Sequence, residues 1–344
     1  MALRRVTIQD VADACGLSRN TVSKVFNSRG AVQDSTRQLV LKTAQELGYF
    51  QLAFGKETQP ELSLKNIALL TRHMPVDDHF GTSLIPAFAA QLGRAGYTLI
   101  MYELSDEELR QGALPAHVNP EQTAAILGIE LFDRAYLEKI CALKLPILLV
   151  DGCCGAATSL MPCDWISMEN LASTRALVEH LIGKGARRIG FIGDPYHCNS
   201  FHERWIGFYS ALVNAELPLD KTLCILDPDT APYGDAGWLA ERLRRIPQLP
   251  DALICVNDFI AIRVMTALKQ LGVAIPEQIM VTGFDGAAQS AAIEPSLTTV
   301  QIPGAEIGRT AADMLLTRIA NPCRPPISVY MKTTPIWRES TNRK

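Results

Sequence analysis

Short apolar runs alternate with longer amphipathic stretches from Leu64 onward, and this alternation limits the fold more than any other feature. The predicted strands are 67–70, 98–101, 125–127, 147–150, 189–192, 223–226, 253–256 and 279–281. Several amphipathic stretches between them, such as "LASTRALVEHLIGKG", end at glycine, as helices do. Strands that alternate with helices form parallel sheets with helices on both faces. The length fits two such units, so we predict an α/β body of two doubly wound parallel-sheet lobes.

Polar residues follow several of these predicted strands. They are Arg72, His73, Asp151, Asp194, Asn257, Asp258 and Asp285. Parallel sheets bind ligands beyond the carboxyl ends of their strands, so these residues together predict a polar pocket between two lobes. Any one Asp or Asn can equally cap a helix or form a turn. Asp258, for example, is placed to cap a helix that begins at Phe259.

The first fifty residues have the pattern of a small all-helical domain. One apolar face of the first predicted helix has the spacing i, i+3, i+4, i+7: Ile8, Val11, Ala12 and Cys15. Thr7 can cap this helix, with Asp10 completing a capping box, and Gly16 ends it. Two short helices joined by such a turn form a helix-turn-helix.

The second helix is capped by Ser18 and a third begins near Asp34 and ends at Gly48. The predicted inner faces are Val22, Val25 and Phe26 on the second helix, and Leu39, Val40, Ala44 and Leu47 on the third. The second helix of a helix-turn-helix enters the major groove, where residues near its N-terminus read bases. We predict this role for Arg19, Asn20 and Lys24, because Arg and Lys pair with guanine and Asn with adenine. The predicted phosphate contacts, which position the helix, are Thr7, Ser18, Thr21 and Ser23.

The charge distribution favours nucleic acid over an ordinary solvated helix face. Residues 1–56 hold eight Lys or Arg against four Asp or Glu, although the whole chain carries a net charge of -3. The rest of the chain therefore carries -7. A basic head on an acidic body is typical of a protein that binds DNA through its head.

These features together resemble one known family. "VTIQDVADACGLSRNTVSKVFN" followed by "STRQLVLKTAQELGYF" resembles the DNA-binding head of the lactose-repressor (LacI/GalR-type) family of bacterial transcription regulators. The positions that match Arg19, Asn20 and Lys24 read bases in that family. The resemblance implies a helix-turn-helix domain at 1–50, a linker at 51–63 and an effector-binding and dimerisation domain at 64–344. The linker "GYFQLAFGKETQPELS" departs from the family, because it lacks the Pro-Asn and the A-x-x-L of the hinge helix.

The body resembles the same family's effector domain, which has the fold of periplasmic sugar-binding proteins. "SFHERWIGFYSAL" and "PDALICVNDFIAIRVMTALKQLGVAIPEQIMVTGFDG" carry this resemblance. It implies lobes of about 64–163 with 297–325 and about 164–296 with 326–344. It also implies ligand contacts by Arg204, Asn257 and Asp285, since an Arg–Asp pair can bind vicinal hydroxyls. Further predicted effector contacts are His73 and the aromatic residues Phe80, Tyr233 and Trp165, each of which can instead belong to the core.

Other classes of protein have little support in the sequence. No G-x-S-x-G elbow, P-loop or dinucleotide fingerprint is present, which argues against an enzyme. No His, Asp or Glu set has metal-ligand spacing, so we predict neither a metal nor a cofactor. The start "MALRRVTIQD" has no signal-peptide core and no apolar run is long enough for a membrane span. We therefore expect a cytoplasmic protein with reduced cysteines, rather than a secreted sugar receptor.

The resemblance implies a homodimeric repressor. Each head would bind one half of a pseudo-palindromic operator in double-stranded DNA, and a small polar ligand, a sugar first of all, would change the operator affinity. A purine, a phosphosugar or a protein corepressor stays open as the effector. The ending "WRESTNRK" has no heptad repeat, which argues against a tetramer.

Overall fold

A computed structural model of the chain describes residues 7–26, 33–46, 65–74, 81–154 and 161–343. The chain divides into two compact units, Met1–Ser63 and Leu64–Lys344. The predicted linker at 51–63 lies outside the described residues, as do Phe80, Leu47 and Gly48.

The first unit contains three described helices, Ile8–Cys15 (α1), Arg19–Phe26 (α2) and Asp34–Glu46 (α3). The predicted capping box is confirmed, because the Thr7 hydroxyl accepts from the Asp10 amide and the Asp10 carboxylate accepts from the Thr7 amide. Gly16 ends α1 in the left-handed conformation, at φ 65°, which glycine adopts without strain. Ser18 caps α2, since its Oγ accepts from the Thr21 amide at 3.1 Å. Gly16 and Ser18, which lie in the turn, thus fix the end of α1 and the start of α2.

A small apolar core holds the three helices together. Its buried members are Val11, Ala12, Val22, Val25 and Val40. The prediction that Leu39 faces this core is wrong, because 48% of that residue is exposed. Consecutive residues on a helix point about 100° apart, and on α3 it is Val40 that faces the core.

The second unit contains eleven described strands. In chain order they are Lys65–Thr71 (β1), Tyr97–Glu103 (β2), Thr123–Ile129 (β3), Ile147–Val150 (β4), Asp164–Met168 (β5), Ile189–Ile192 (β6), Ala252–Cys255 (β7), Met280–Thr282 (β8), Thr299–Gln301 (β9), Ser328–Met331 (β10) and Thr334–Ile336 (β11). Its described helices are Gly81–Arg94 (α4), Asp106–Gln111 (α5), Arg134–Cys141 (α6), Leu171–Gly183 (α7), Asn199–Asn214 (α8), Ala236–Arg244 (α9), Asp258–Gln270 (α10), Ala288–Ala292 (α11) and Gly304–Ala320 (α12).

The strands form two parallel sheets, as the alternating pattern predicts. The first sheet has the order β10-β5-β4-β3-β1-β2 and the second has the order β6-β7-β8. β9 and β11 form a separate antiparallel pair. The predicted strand 223–226 is wrong. Asp220 caps a 3-10 turn at Lys221–Leu223, and Ile225 makes only an isolated bridge to Ile192.

Each sheet is the centre of one lobe, and the chain crosses between the lobes at positions that differ from the predicted boundaries. β5 and β10 hydrogen-bond within the first sheet, so the first lobe includes 164–168 and 328–331. β9 pairs with β11 and thus lies outside the first sheet. The crossings therefore come after β5, between β9 and α12, and between β10 and β11.

Helix α12 belongs to the first lobe although it lies far along the chain. It packs against α4, where a Cβ at Gly308 would clash with the carbonyl oxygen of Leu84. A buried ion pair joins it to β5, with Arg318 Nη2 at 2.6 Å and Nε at 2.9 Å from the Asp164 carboxylate oxygens. No helix within the described ranges is long and apolar enough to cross a membrane.

Candidate functional site

The exposed side of α2 carries the three predicted base-reading residues. Arg19 and Asn20 occupy the first two positions of the helix, and Lys24 lies about one turn further on. All three side chains are exposed, while Val22 and Val25 fix the opposite face in the core. This is the arrangement that a recognition helix requires.

The predicted phosphate-contacting hydroxyls are already engaged in local hydrogen bonds. Thr7 Oγ1 donates to Asp10 Oδ2 at 2.7 Å, and Ser18 Oγ lies 2.8 Å from Thr21 Oγ1. A hydroxyl has one proton to donate, so Thr7 would have to release Asp10 in order to donate to a phosphate. Ser23 is half-buried on the same helix as Thr21. The predicted phosphate role of these hydroxyls remains a prediction.

In the second unit, the carboxyl ends of strands from both lobes face a cleft. Its inner chamber has a volume of about 90 Å³. The described lining residues are Glu130, Phe132, Asp151, Met168, His197, Cys198, Ser200, Phe201, Arg204, Asn257 and Asp285. The chamber thus brings together Arg204, Asn257 and Asp285, which the sequence placed in one pocket.

Arg204 is buried, with 3% of the residue exposed, and protein contacts fix its position from several sides. Its Nε donates to Asn170 Oδ1 at 3.0 Å and its Nη1 donates to the Val256 carbonyl at 2.7 Å. Its guanidinium carbon lies 3.7 Å from the centre of the Phe284 ring. Nη1 is also 3.3 Å from Asp285 Oδ1, which forms an ion pair at the cleft wall. The guanidinium is therefore oriented before any ligand arrives.

Asp285 is held in a backbone conformation that non-glycine residues rarely adopt, with φ 115°. Two backbone hydrogen bonds hold it there: its amide donates to the Val300 carbonyl at 3.0 Å and its carbonyl accepts from the Ile302 amide at 3.2 Å. Backbone strain of this kind persists where the surrounding structure imposes it and is common at ligand sites.

The cap of α10 differs from the prediction, which assigned it to Asp258. The helix α10 begins at Asp258, and Asn257 is its cap, because its Oδ1 accepts from the Ile260 amide at 2.9 Å. The buried Asp258 carboxyl accepts instead from Thr299 Oγ1 at 2.5 Å and from the Ala287 amide at 2.8 Å. Burial and the nearby charge of Asp285 raise the pKa of Asp258 to about 7. Asp258 thus supports the loop that presents Asp285.

Asp151, which the sequence placed at the predicted pocket, and Ser200, which we did not predict, connect the two lobes at the same chamber. Asp151 follows β4, and its carboxylate accepts from Ser200 Oγ at 2.6 Å and from the Ser200 amide at 3.2 Å. Ser200 lies in the first turn of α8, in the other lobe. Burial raises the pKa of the Asp151 carboxyl. The position of Asp151 after a strand was the available signal in the sequence.

An outer chamber of about 570 Å³ continues from the inner one, since both are lined by Glu130, Phe132 and His197. Its other described lining residues are Arg72, His73, Leu109, Leu131, Asp133, Asp194, Pro228, Asp229 and Thr230. His73 therefore faces the cleft, as the sequence predicted. The aromatic wall is Phe132, whose ring meets His197 edge to face at a centroid distance of 4.9 Å.

Two family comparisons agree with these two units. Residues 7–51 match the family described as "Bacterial regulatory proteins, lacI family", and residues 178–341 match the "Periplasmic binding protein-like domain". The chain therefore has a LacI-type helix-turn-helix domain and a periplasmic-binding-protein-like domain. It is accordingly a DNA-binding transcription regulator with a ligand-binding domain, and not an enzyme.

Curated relatives match almost the whole length of the chain. The HTH-type transcriptional regulator GalR of Lacticaseibacillus casei is 26% identical, over 97% of this chain and 99% of its own. The HTH-type transcriptional repressor PurR of Aliivibrio salmonicida is 29% identical, over 91% of this chain and 92% of its own.

Solved structures share the fold. The transcriptional regulator CelR in complex with cellobiose has a TM-score of 0.70 and 24% identity, and covers 98% of this chain and 100% of its own. The lac repressor dimer bound to operator and the anti-inducer ONPF has a TM-score of 0.72 and 23% identity, with 98% of this chain and 99% of its own covered.

Two aromatic residues predicted to contact effector lie in the core of this LacI-like fold instead. Trp165 is 4% exposed and packs edge to face on Tyr330 at 5.0 Å. Tyr233 is 4% exposed, and its hydroxyl donates to the Asp227 carbonyl at 2.8 Å. The sequence does not show whether an aromatic side chain flanked by polar residues faces the core or a pocket, so the prediction was wrong for these two residues. Phe80 lies outside the described residues.

Proposed function

We propose that this chain acts as a homodimeric repressor whose affinity for a pseudo-palindromic operator depends on a small, hydroxyl-rich effector, such as a sugar, bound in the cleft. The observation that carries the effector proposal is the Arg204–Asp285 pair at 3.3 Å, held at the wall between the lobes. The guanidinium offers fixed donors and the carboxylate offers acceptors, which suits two neighbouring hydroxyls of one ligand.

The position of the cleft suggests how the effector acts. Its walls come from both lobes, with Glu130 and Asp151 on one side and Arg204 and Asp285 on the other. A ligand that contacts both walls binds one lobe arrangement better than another and so shifts the population toward it. Coupling to the DNA-binding head would follow from the same two-state equilibrium.

The dimer and the operator symmetry rest on the helix-turn-helix and on a relative. One recognition helix contacts one half-site, and a two-fold dimer presents two of them to a pseudo-palindrome. The solved lac repressor with the same fold is a dimer bound to operator. A regulator of this kind works where the chromosome lies, so we propose the cytoplasm as its location.

The experiment combines operator binding with an effector screen. Operator fragments selected from the source genome are titrated with the full chain by fluorescence anisotropy, with and without neutral sugars, purines and sugar phosphates. Arg204→Ala and Asp285→Ala should lose the effector response and keep operator binding. Arg309→Ala, which removes an exposed arginine that pairs with Glu306 on α12, is the matched control. A normal effector response in both cleft variants contradicts the proposed site, and a purine hit would replace the sugar.

A further inference from the structure

The balance of charge in the cleft bears on the chemistry of the effector. The inner chamber holds the Arg204 guanidinium with the carboxyl groups of Glu130, Asp151 and Asp285. In the outer chamber, four carboxyl groups and one guanidinium line the wall among the described residues. The carboxyl groups are Glu130, Asp133, Asp194 and Asp229, and the guanidinium is that of Arg72.

The single guanidinium that the described residues place in the outer chamber is already balanced by groups from its own lobe. Arg72 Nη2 pairs with Asp106 at 2.8 Å, and Nη1 donates to the Leu104 carbonyl at 3.2 Å. Its positive charge is therefore mainly neutralised by Asp106 and neutralises the carboxylates of the chamber less. Among the described residues, carboxyl groups therefore outnumber the cationic groups of this chamber, and a surplus of carboxylates repels phosphate and attracts cations.

The carboxyl groups of Asp194 and Asp229 are brought together by the backbone. Asp194 Oδ2 accepts from the Asp229 amide at 3.0 Å, and Asp194 Oδ1 accepts from the Tyr196 amide at 2.8 Å. Burial and the charges of Asp194 and Glu130 act to raise the pKa of Asp229, although His197 acts in the other direction. His197 Nδ1 lies 3.4 Å from Asp229 Oδ2 and supplies a full counter-charge only when protonated.

An independent feature of the same chamber is its aromatic wall. The half-buried Phe132 ring lines both chambers and is fixed by its edge-to-face contact with His197 at 4.9 Å. An aromatic face attracts a cation through its quadrupole, and protein sites for ammonium groups use such faces. A neutral sugar needs hydrogen-bond partners and an apolar face, but it does not need a surplus of negative charge.

We propose that the effector carries a positively charged amino group, which binds in the outer chamber among Glu130, Asp194, Asp229 and Phe132 while hydroxyl groups of the same molecule bind Arg204 and Asp285. The class is that of amino sugars and similar amine-bearing polyols. This inference rests on the proposed effector function of the cleft. It goes further by fixing the sign of the ligand's charge, which excludes sugar phosphates.

The test uses two matched sets, each made of a neutral sugar, its amino sugar and its phosphate ester. One set is glucose, glucosamine and glucose 6-phosphate, and the other is galactose, galactosamine and galactose 6-phosphate. N-acetylglucosamine, which keeps the size and lacks the charge, is added. Dissociation constants for the full chain are measured by calorimetry. We expect at least one amine to bind about tenfold or more tightly than its neutral and phosphorylated partners, a difference of about 1.4 kcal/mol. Equal or tighter binding by the neutral or phosphorylated sugars overturns the proposal, and so does a panel in which no amine binds.

Variants separate this charge from the rest of the site. Asp229→Asn and Glu130→Gln should each weaken amine binding severalfold more than they weaken the binding of the neutral sugar. Glu241→Gln, which removes an exposed carboxylate paired with Arg244 on α9, is the control. An unchanged amine affinity in both cleft variants overturns the proposal. A neutral ligand whose effect is lost in Arg204→Ala would overturn the charge inference alone, whereas ligands that act independently of Arg204 and Asp285 would overturn the proposed function.

Discussion

Arg204 Nε donates to Asn170 Oδ1 at 3.0 Å, so the arginine of the cleft is oriented by a residue of the first crossing between the lobes. Asn170 Nδ2 in turn donates to the Met168 carbonyl at 2.9 Å and to Glu203 Oε2 at 2.8 Å. Glu203 Oε1 accepts from the Tyr330 hydroxyl at 2.6 Å. Since Tyr330 lies on β10 of the first sheet and Glu203 on α8 of the second lobe, this network joins the lobes behind the ligand site.

Asn170 acts on the effector only through Arg204, and removal of its side chain should still weaken effector binding. In Asn170→Ala, Arg204 Nε loses its acceptor while buried, which costs about 1–3 kcal/mol and frees the guanidinium to turn. We expect about a tenfold rise in effector Kd by calorimetry, with the operator affinity of the ligand-free protein unchanged. Asn170→Asp keeps the acceptor for Arg204 and should recover part of the affinity. Equal affinities for Asn170→Ala and the native chain would show that Asn170 does not position Arg204.

Arg19 should carry sequence discrimination rather than general DNA affinity. Arg19→Ala would remove the guanine contact predicted for this residue, and a bidentate contact of that kind is worth about 1–3 kcal/mol, whereas other basic residues would keep the salt-dependent attraction to phosphates. In anisotropy titrations, operator binding should weaken while binding to unrelated DNA at low salt persists. Gln38→Ala, at an exposed position of α3, is the control. An operator preference that survives Arg19→Ala would refute the base-reading role.

The sequence predicted those features that depend on local periodicity and on strand order. The capping box of Thr7 and Asp10, the turn at Gly16 and the parallel arrangement of β1, β3 and β4 all follow from residues near one another in the chain. It failed where a partner distant in the chain decides. β5 pairs with β10, which is more than 150 residues away.

The effector residues show the same division. Arg204 and Asp285 were predicted together, through the resemblance to a family, and they meet at 3.3 Å. That Asn257 rather than Asp258 caps α10 was not predictable, because both residues can cap a helix. Contacts from Thr299 and from the Ala287 amide, both distant in the chain, fix the Asp258 carboxyl in its buried position.

The raised pKa of Asp258 predicts a particular pH dependence of stability. The folded protein binds this proton with a pKa of about 7, above the value of about 4 for an unfolded chain. Folding therefore takes up a proton between these pH values, so the free energy of unfolding should fall as pH rises from about 4 to 7 and then level off for this group. Asp258→Asn, which cannot ionise, should show a shallower fall. Urea unfolding at about pH 5 and about pH 8, on either side of the folded pKa, gives the change in the free energy of unfolding with pH for the native chain and for Asp258→Asn. Equal changes in the two proteins would contradict the assignment to Asp258.

The buried ion pair of Asp164 and Arg318 should contribute strongly to the stability of the first lobe. Nη2 and Nε of Arg318 contact the two carboxylate oxygens, and Asp164 Oδ1 also accepts from the Ile327 amide at 2.9 Å, which fixes the start of β10 beside β5. Arg318→Met leaves a buried carboxylate without its cation, which costs about 3–5 kcal/mol. The paired change Asp164→Asn with Arg318→Met removes both charges and should recover part of that loss, because the carboxamide oxygen of the substituted side chain would still accept from the Ile327 amide. Urea unfolding of the native chain, both single variants and the double variant measures the coupling, and additive losses in the double variant would show that the two residues do not act as a pair.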